Sequence, residues 1–150
     1  MKELIFMIFL IGYALRSFSQ DFEYSTSQDL NSDNIEDSIK VENRIGNPYE
    51  FKLTVNGKGV IGKFNGGATD GFQIIDINKS DKFKEIAVHT LGPSNDDEYM
   101  IYWYDSENIL FISHMSRWPK FLGNGTVYLD NWEGFWSSRD KYVFDSSTKT

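Results

Sequence analysis

The sequence predicts an all-β domain built from antiparallel sheets, and three observations support this. Short runs rich in β-branched and aromatic residues recur along the chain. Turn residues separate them every 8–12 residues or so, without a clear amphipathic helix between them. Two segments also resemble each other at a spacing near 47 residues, about the length of a four-stranded blade. We therefore expect two repeats of ~47 residues in a partial or small β-propeller-like arrangement, with a β-sandwich as the alternative.

The first element along the chain is a predicted signal peptide covering residues 1–19. Lys2 precedes an uncharged apolar run from Leu4 to Leu15, and Ser17 and Ser19 supply small residues before a cut. A basic start, a short apolar core and small residues are typical of secretory signals. The run is shorter than the ~20 residues that span a bilayer. We expect an extracytoplasmic protein, periplasmic or secreted, with no membrane span after cleavage.

The remaining elements are a flexible arm at 20–28 and a single β domain at 29–150. The arm is polar and carries few structural signals. Tyr49–Val55 alternates polar and apolar residues and is followed by Asn56-Gly57, which predicts a hairpin with a type I′ turn. A short helical turn is expected near 132–138. The predicted strands are Ser38–Val41, Tyr49–Val55, Gly59–Phe64, Gly71–Ile75, Glu85–Leu91, Glu98–Tyr104, Ile109–Ser113, Thr126–Leu129 and Lys141–Phe144.

Composition narrows the classes of partner. The formal net charge is −7, aromatic residues make up 16 % of the chain, and there is no cysteine. An acidic surface repels phosphate backbones, so we expect no nucleic-acid partner. Without disulfides the core must suffice by itself or be supported by another element such as a metal ion. An unidentified protein or glycan is the expected partner.

The repeat consists of Asp29–Val41 and Asp76–Val88, which align without a gap. In both segments an acidic turn leads directly into a strand. A third copy would begin near Gly123 and keeps only the outline of a turn followed by a strand. The matched pairs are Asp29 with Asp76, Leu30 with Ile77, Asn31 with Asn78, Ile39 with Ile86, and Val41 with Val88.

The first segment has the spacing of a calcium loop. Side-chain oxygens recur at loop positions 1, 3, 5 and 9, and a main-chain carbonyl is available at position 7. Calcium takes about six to eight oxygen ligands, and such a loop folds them around the ion. The expected ligands are Asp29, Asn31, Asp33, Ile35 (through its carbonyl) and Asp37.

Two features of this loop limit the comparison with known calcium loops. Position 6 requires a positive φ, and here it is Asn34, which tolerates that conformation. Position 12 is Lys40 and a strand follows, so the loop is not an EF-hand. In the alternative interpretation, the Asp, Asn and Ser side chains only cap turns through bonds to the backbone.

The second segment is a weaker candidate. Ser80 replaces an acid at position 5, and Lys84 lies where the first loop has Asp37. Since an ammonium group repels a metal ion, we expect this loop to bind metal marginally or not at all, and its acids mainly to build the turn. The residues of this candidate second loop are Asp76, Asn78, Ser80, Asp81 and Glu85.

These segments, with Gly71–Val88 and the stretch from Gly92 to Asp96, resemble bacterial exported proteins with VCBS or FG-GAP type repeats. Such repeats occur in integrin-like β-propellers, where an Asp-x-Asp-x-Asp-Gly loop precedes a strand. The resemblance covers about two thirds of the mature chain and implies a calcium-binding propeller-like fold. A related group of small periplasmic proteins with such loops resembles inhibitors of lysozyme-type hydrolases, which gives an alternative function.

A recognition surface is a further candidate. A polar loop between two strong strands could bind a partner or simply be solvated, and exposed aromatic rings could stack on sugars or simply belong to the core. The residues concerned are Ser94, Asn95, Asp96, Asp97, Trp118, Trp132 and Trp136.

Catalysis is not indicated by the sequence. His89 and His114 are interpreted as structural histidines, and neither a Gly-x-Ser-x-Gly elbow nor a cysteine nucleophile is present. The sequence thus predicts no catalytic residues and a non-enzymatic domain in which calcium is structural. A glycan hydrolase that uses a pair of carboxylates is the most remote alternative.

Overall fold

A computed structural model describes residues 22–90 and 97–145 of the chain. The described residues form three antiparallel sheets with the strand orders β1-β2-β3-β4, β5-β6-β7-β8 and β9-β10-β11, here called sheets 1, 2 and 3. The all-β prediction is therefore confirmed. The strands are β1 (Glu23–Gln28), β2 (Asp37–Arg44), β3 (Asn47–Val55), β4 (Lys58–Lys63), β5 (Thr69–Ile75), β6 (Glu85–Thr90), β7 (Glu98–Tyr104), β8 (Ile109–Ser116), β9 (Lys120–Phe121), β10 (Thr126–Glu133) and β11 (Trp136–Val143).

The β3–β4 hairpin forms where the Asn-Gly pair predicts it. Asn56 and Gly57 have φ angles of 49° and 81°, and the strands pair from Val55–Lys58 outward. Positive φ at both central residues is what a type I′ turn requires, because its twist matches that of the flanking strands. Asn56 also bonds to β2, since its Oδ1 accepts from the Ser38 N–H at 2.9 Å. The turn therefore ties three strands of sheet 1 together.

The three sheets pack face to face in chain order. One apolar cluster lies between sheets 1 and 2 and contains Leu53 of β3 and Val88 of β6. A second cluster lies between sheets 2 and 3 and contains Ala87 of β6 and Leu129 of β10. Because neighbouring residues of a strand point to opposite faces, β6 contributes to both clusters. Sheet 2 is consequently the middle layer, and each of its faces contributes to one cluster.

Two local predictions are wrong. The flexible arm expected at 20–28 is strand β1 from Glu23 onward, paired with β2. Polar residues suit this edge strand because its exposed side chains face water, and Glu23 forms a 3.0 Å ion pair with Lys40. The helical turn expected near 132–138 is the β10–β11 hairpin, closed by Glu133 and Trp136. A turn with Gly134 at φ 66° takes the place of the helix.

The two similar segments occupy corresponding places in the fold. Asp29–Val41 runs from the end of β1 into β2, and Asp76–Val88 runs from the end of β5 into β6. The gapless alignment nevertheless fails inside the strands. It matches Ile39 of sheet 1 with Ile86 of sheet 2, and both side chains lie in the cluster between these two sheets. Ile39 therefore points toward the next sheet of the stack, whereas Ile86 points back toward the preceding sheet, so the two positions are not equivalent.

A shift of one residue restores the correspondence. The carboxylate of Asp37 accepts a bond from the Leu30 N–H at 3.0 Å, and Glu85 accepts from the Ile77 N–H at 3.0 Å. The two acids open β2 and β6, so Asp37 corresponds to Glu85 and the second loop is one residue longer. Ala87 then corresponds to Ile39, and each faces the next sheet of the stack.

The connections between the first two strands of each sheet lie side by side. We call them loop 1 (29–36), loop 2 (76–84) and loop 3 (122–125). Loop 2 bonds to loop 1 through Lys84 N–H to the Leu30 carbonyl at 2.8 Å. It bonds to loop 3 through Lys79 N–H to the Gly123 carbonyl and Gly125 N–H to the Ile77 carbonyl, at 3.0 and 2.7 Å.

Over residues 22–90 and 97–145, no helix is long and apolar enough to cross a membrane.

Candidate functional site: the acidic loops

Loop 1 is organised around the carboxylate of Asp29. Its Oδ1 accepts from the N–H groups of Asn31 and Asp33 at 3.2 and 3.3 Å, and its Oδ2 accepts from Asn34 N–H at 3.0 Å. Desolvation alone would raise the pKa of Asp29. The backbone donors of Asn34, Ser32, Asn31 and Asp33 outweigh it and lower the pKa below the ordinary value. The carboxylate is therefore held ionised inside a ring of N–H groups.

The other oxygens of loop 1 turn onto the same stretch of backbone. Asn31 Oδ1 accepts from Asp33 N–H at 3.0 Å, and Asp33 Oδ1 accepts from Ile35 N–H at 2.8 Å. Ser32 and Asn34 have φ angles of 57° and 68°, so the loop curls at two points. The positive φ expected at Asn34 is present. This geometry brings the oxygens of positions 1, 3 and 5 around one short loop.

Asp37 anchors the loop to the sheet. Its side chain is buried, its Oδ2 accepts from Leu30 N–H, and its Oδ1 accepts from Asn56 Nδ2 at 2.7 Å. Asn31 is also buried, and its Nδ2 donates to Ser106 Oγ at 2.6 Å. These bonds join loop 1 to the β3–β4 turn and to the β7–β8 turn. Ile35, in contrast, projects an exposed side chain from the tip.

Lys84 reaches toward loop 1 rather than into its own loop. Its Nζ lies 3.3 Å from the Asp29 carbonyl oxygen. Ser32 Oγ reinforces the contact by donating to the Lys82 carbonyl at 2.9 Å. Lys84 therefore places a positive charge beside the first acidic loop, where it partly offsets the carboxylates.

Loop 2 is built by side chain to backbone bonds. Asn78 Oδ1 accepts from the N–H and the Oγ of Ser80 at 3.3 and 2.7 Å, and Asp81 Oδ1 accepts from Phe83 N–H at 2.9 Å. Such bonds are those of turn-forming residues. Asp76 differs, because its Oδ1 is a buried atom without a hydrogen-bond partner. The expectation that these acids build the turn agrees with the bonds of Asp81 and Glu85.

Glu85 is the first residue of β6, directly after loop 2, and its carboxyl group is buried. Its side chain is 1 % exposed, and its pKa is raised to about 7. Desolvation is the main cause, and the charges of Asp81 and Asp76 add to it, while the Ile77 N–H acts in the opposite direction. A buried acid near negative neighbours is cheaper to keep protonated than ionised.

A metal ion in loop 1 would be bound by oxygen atoms from carboxylate, amide and main-chain carbonyl groups. Residues 22–90 and 97–145 contain no group of three or more His, Cys, Asp or Glu side chains that could hold a metal ion. The loop 1 set includes an amide oxygen from Asn31 and a main-chain carbonyl from Ile35, which are also hard ligands of the type calcium takes. The ionised Asp29 and the exposed Asp33 supply the negative charge. The residue types of loop 1 are therefore those of hard oxygen ligands, and the oxygens of Asp29, Asn31 and Asp33 also accept backbone N–H groups as turn-forming residues do.

The predicted recognition residues are not brought together as a set. Ser94, Asn95, Asp96 and the side chain of Trp132 lie outside the described residues. Asp97 is buried, and its carbonyl accepts from Arg117 N–H at 2.6 Å. Trp118 and Trp136 are 63 % and 81 % exposed, and the neighbouring Phe135 is fully exposed. The sequence places Phe135 in the same aromatic group, but it favours Trp118, Trp132 and Trp136 as the exposed rings.

Sequence reasoning also missed the partners of the two histidines. His89 Nδ1 lies 2.5 Å from Asp70 Oδ1, and His114 Nε2 lies 2.8 Å from Glu98 Oε2. Glu98 is buried and also accepts from the N–H groups of Asn65 and Gly66. These acids are far from the histidines in sequence, so no local spacing reveals the pairs. The bonds of Glu98 explain His114 as part of a structural anchor.

Comparison with protein families, with curated proteins and with solved structures finds no match to this chain.

Proposed function

We propose that this chain is an exported, non-enzymatic β domain in which loop 1 binds calcium as a structural ion. The observation that supports this is that Asp29, Asn31 and Asp33 place their side-chain oxygens along one short loop, curled at Asn34, where each accepts a backbone N–H. The ion would be held by these side chains and the Ile35 carbonyl. Asp37 would orient the loop through its bonds to Leu30 and Asn56. A rotation of its carboxylate toward the ion would add a further ligand.

The role of such an ion would be to fix the stack of sheets. Loop 1 contacts loop 2, and loop 2 contacts loop 3. An ion that neutralises loop 1 would remove the repulsion between Asp29 and Asp33 and so stabilise the contact of loop 1 with loop 2. We also propose that Asp29–Val41 and Asp76–Val88 are two copies of one repeat, since they occupy equivalent connections in sheets 1 and 2.

A thermal melt with calcium and with chelator tests this proposal. A ligand at a hundredfold excess over its dissociation constant stabilises the folded state by about 2.7 kcal/mol. Wild type should melt at a higher temperature in calcium, and Asp33→Ala should lose the shift. Asp140→Ala is a matched control that should keep the shift, since this exposed acid lies on β11 and accepts from Asn131 Nδ2 at 2.6 Å, away from loop 1. If calcium shifts neither wild type nor the control, the acids of loop 1 are turn residues only.

A recognition module is a second candidate function. Exposed Trp118 and Trp136 favour it, because flat rings cover the faces of sugars and also anchor protein interfaces. The binding partner would be a glycan or a protein such as a lysozyme-type hydrolase. Inhibition of muramidase activity by the purified domain, compared with Trp136→Ala, distinguishes an inhibitor from a scaffold.

A further inference from the structure

The strand arrangement of sheet 3 differs from that of its neighbours. Sheets 1 and 2 each have four strands, whereas sheet 3 has three, with β11 at the edge of the described residues. All eight residues of β11 are exposed. We propose that the outer edge of β11, which has no neighbouring strand among residues 22–90 and 97–145 and is here called the free edge, receives an extended strand from a different polypeptide, apolar on the side facing sheet 2 and acidic on the other. Such strand addition is a common mode of peptide recognition.

The backbone of β11 is suitably directed for this addition. Phe144 N–H donates to the Gly125 carbonyl at 2.7 Å, so the main-chain groups of Phe144 point toward β10. Direction alternates along an antiparallel strand, which places the even-numbered residues of β11 in the ladder with β10. The free edge therefore presents the N–H and C=O groups of Ser137, Arg139, Lys141 and Val143.

The apolar side of the added strand follows from the arrangement of the other sheets. The fourth strands of sheets 1 and 2, β4 and β8, contact each other. A fourth strand in sheet 3 would by analogy lie over β8, where Leu110 pairs with Trp103 and is 44 % exposed. On β11, Tyr142 pairs with the buried Val127 and so shares the side facing sheet 2. Apolar residues at alternate positions of the partner would cover this surface.

The acidic side follows from charge. Arg139 and Lys141 lie on the face of β11 that points away from sheet 2, across from Asp130 and Tyr128. Arg139 is already paired with Asp130, whose Oδ1 lies 2.5 Å from Nε, whereas Lys141 is exposed. An acidic side chain directly opposite Lys141 would form a favourable cross-strand pair.

A second copy of this chain is a poor occupant for the same edge. If two copies paired through β11 about a two-fold axis normal to the sheet, each side chain would stay on its own face. An even-numbered residue could then lie opposite only an even-numbered residue, and an odd-numbered residue opposite only an odd-numbered one. The two registers with the greatest overlap are centred on residues 139 and 140. The first places Arg139 opposite Arg139, and the second places Asp140 opposite Asp140 and Arg139 opposite Lys141. Like charges directly opposite destabilise a pair of strands and guard edges against self-association.

The test is calorimetric titration of the protein with a ten-residue peptide that alternates isoleucine and glutamate. We expect saturable one-to-one binding, at least tenfold weaker when lysine replaces glutamate in the peptide. Ser137→Pro removes an outward N–H, which an edge strand tolerates, and should weaken binding at least tenfold. Ser137→Ala keeps the N–H and should bind like wild type.

Amide hydrogen exchange on wild type provides a readout that does not depend on the variants folding. The peptide should slow exchange at Ser137, Arg139, Lys141 and Val143 more than at the even-numbered positions. Absence of binding up to the solubility limit of the peptide, equal affinity for the lysine peptide, or unaltered binding by a folded Ser137→Pro would overturn the proposal. Concentration-dependent protection of the same four amides without peptide would also overturn it, because a second copy would then occupy the edge.

Discussion

We expect the free energy of unfolding to depend on pH through the carboxyl group of Glu85. It is buried at the start of β6, where its carboxylate accepts from the Ile77 N–H of loop 2. Its pKa is raised to about 7, so the folded protein holds this proton more tightly than the unfolded chain does. The stabilisation is therefore fully present below the unfolded pKa of 4.5 and is lost as the pH rises through about 7.

The magnitude follows from the size of the shift. A rise from 4.5 to about 7, at about 1.4 kcal/mol per unit, corresponds to at most about 3 kcal/mol. For a chain of this length, each kcal/mol changes the melting temperature by about 2–4 °C, so the full effect is roughly 10 °C. Acids with lowered pKa, such as Asp29 and Asp130, lose their stabilisation at lower pH, outside this window.

The assay compares melting temperatures of wild type and Glu85→Gln between about pH 5 and about pH 8, in chelator to exclude metal ions. Glutamine keeps an oxygen for the Ile77 N–H but carries no proton to lose. The wild-type midpoint should fall across this range relative to the variant. Glu107→Gln, at an exposed turn position, should follow wild type. Parallel curves for wild type and Glu85→Gln would refute the assignment of the proton to Glu85.

Two further predictions concern the packing of sheet 1. Leu53→Ala, at a fully buried site, should lower the free energy of unfolding by about 2–5 kcal/mol in a urea titration, whereas Ile61→Ala, on the exposed side of β4, should change it far less. Gly62→Ala should cost about 1–3 kcal/mol because the new methyl group would overlap the ring of Phe51; Gly66→Ala, which meets only one atom at 3.4 Å, serves as its control. Equal losses in either pair would contradict this account of the core.

The strands were largely predictable because their signals are local. Tyr49–Val55 followed by Asn56-Gly57 contains both the alternation and the turn chemistry of a hairpin, and β7 spans the predicted residues Glu98–Tyr104. The failures occurred where local signals are weak. Polar β1 is held in place by its pairing with β2 rather than by an apolar pattern, and the sequence near 132–138 does not distinguish a hairpin from a helical turn.

The candidate site was predictable in part. The spacing from Asp29 to Asp33 indicates a tight acidic loop, and the loop is present with the expected positive φ at Asn34. The direction of Lys84 was not predictable from spacing. Lys84 occupies a ligand position in a gapless alignment, but the additional residue in loop 2 gives that place to Glu85 and directs Lys84 to loop 1.

The sequence by itself determined the all-β class, most strands and the acidic turns, because alternation and turn chemistry act over a few neighbouring residues. Only the tertiary structure decided the stacking of three sheets, the carboxylate partners of His89 and His114, and the burial that raises the pKa of Glu85. These properties arise from contacts between residues distant in sequence. They also include the position of β11 at the edge of sheet 3 in the described part of the chain, since whether a strand has a neighbour depends on the whole sheet and not on the strand itself.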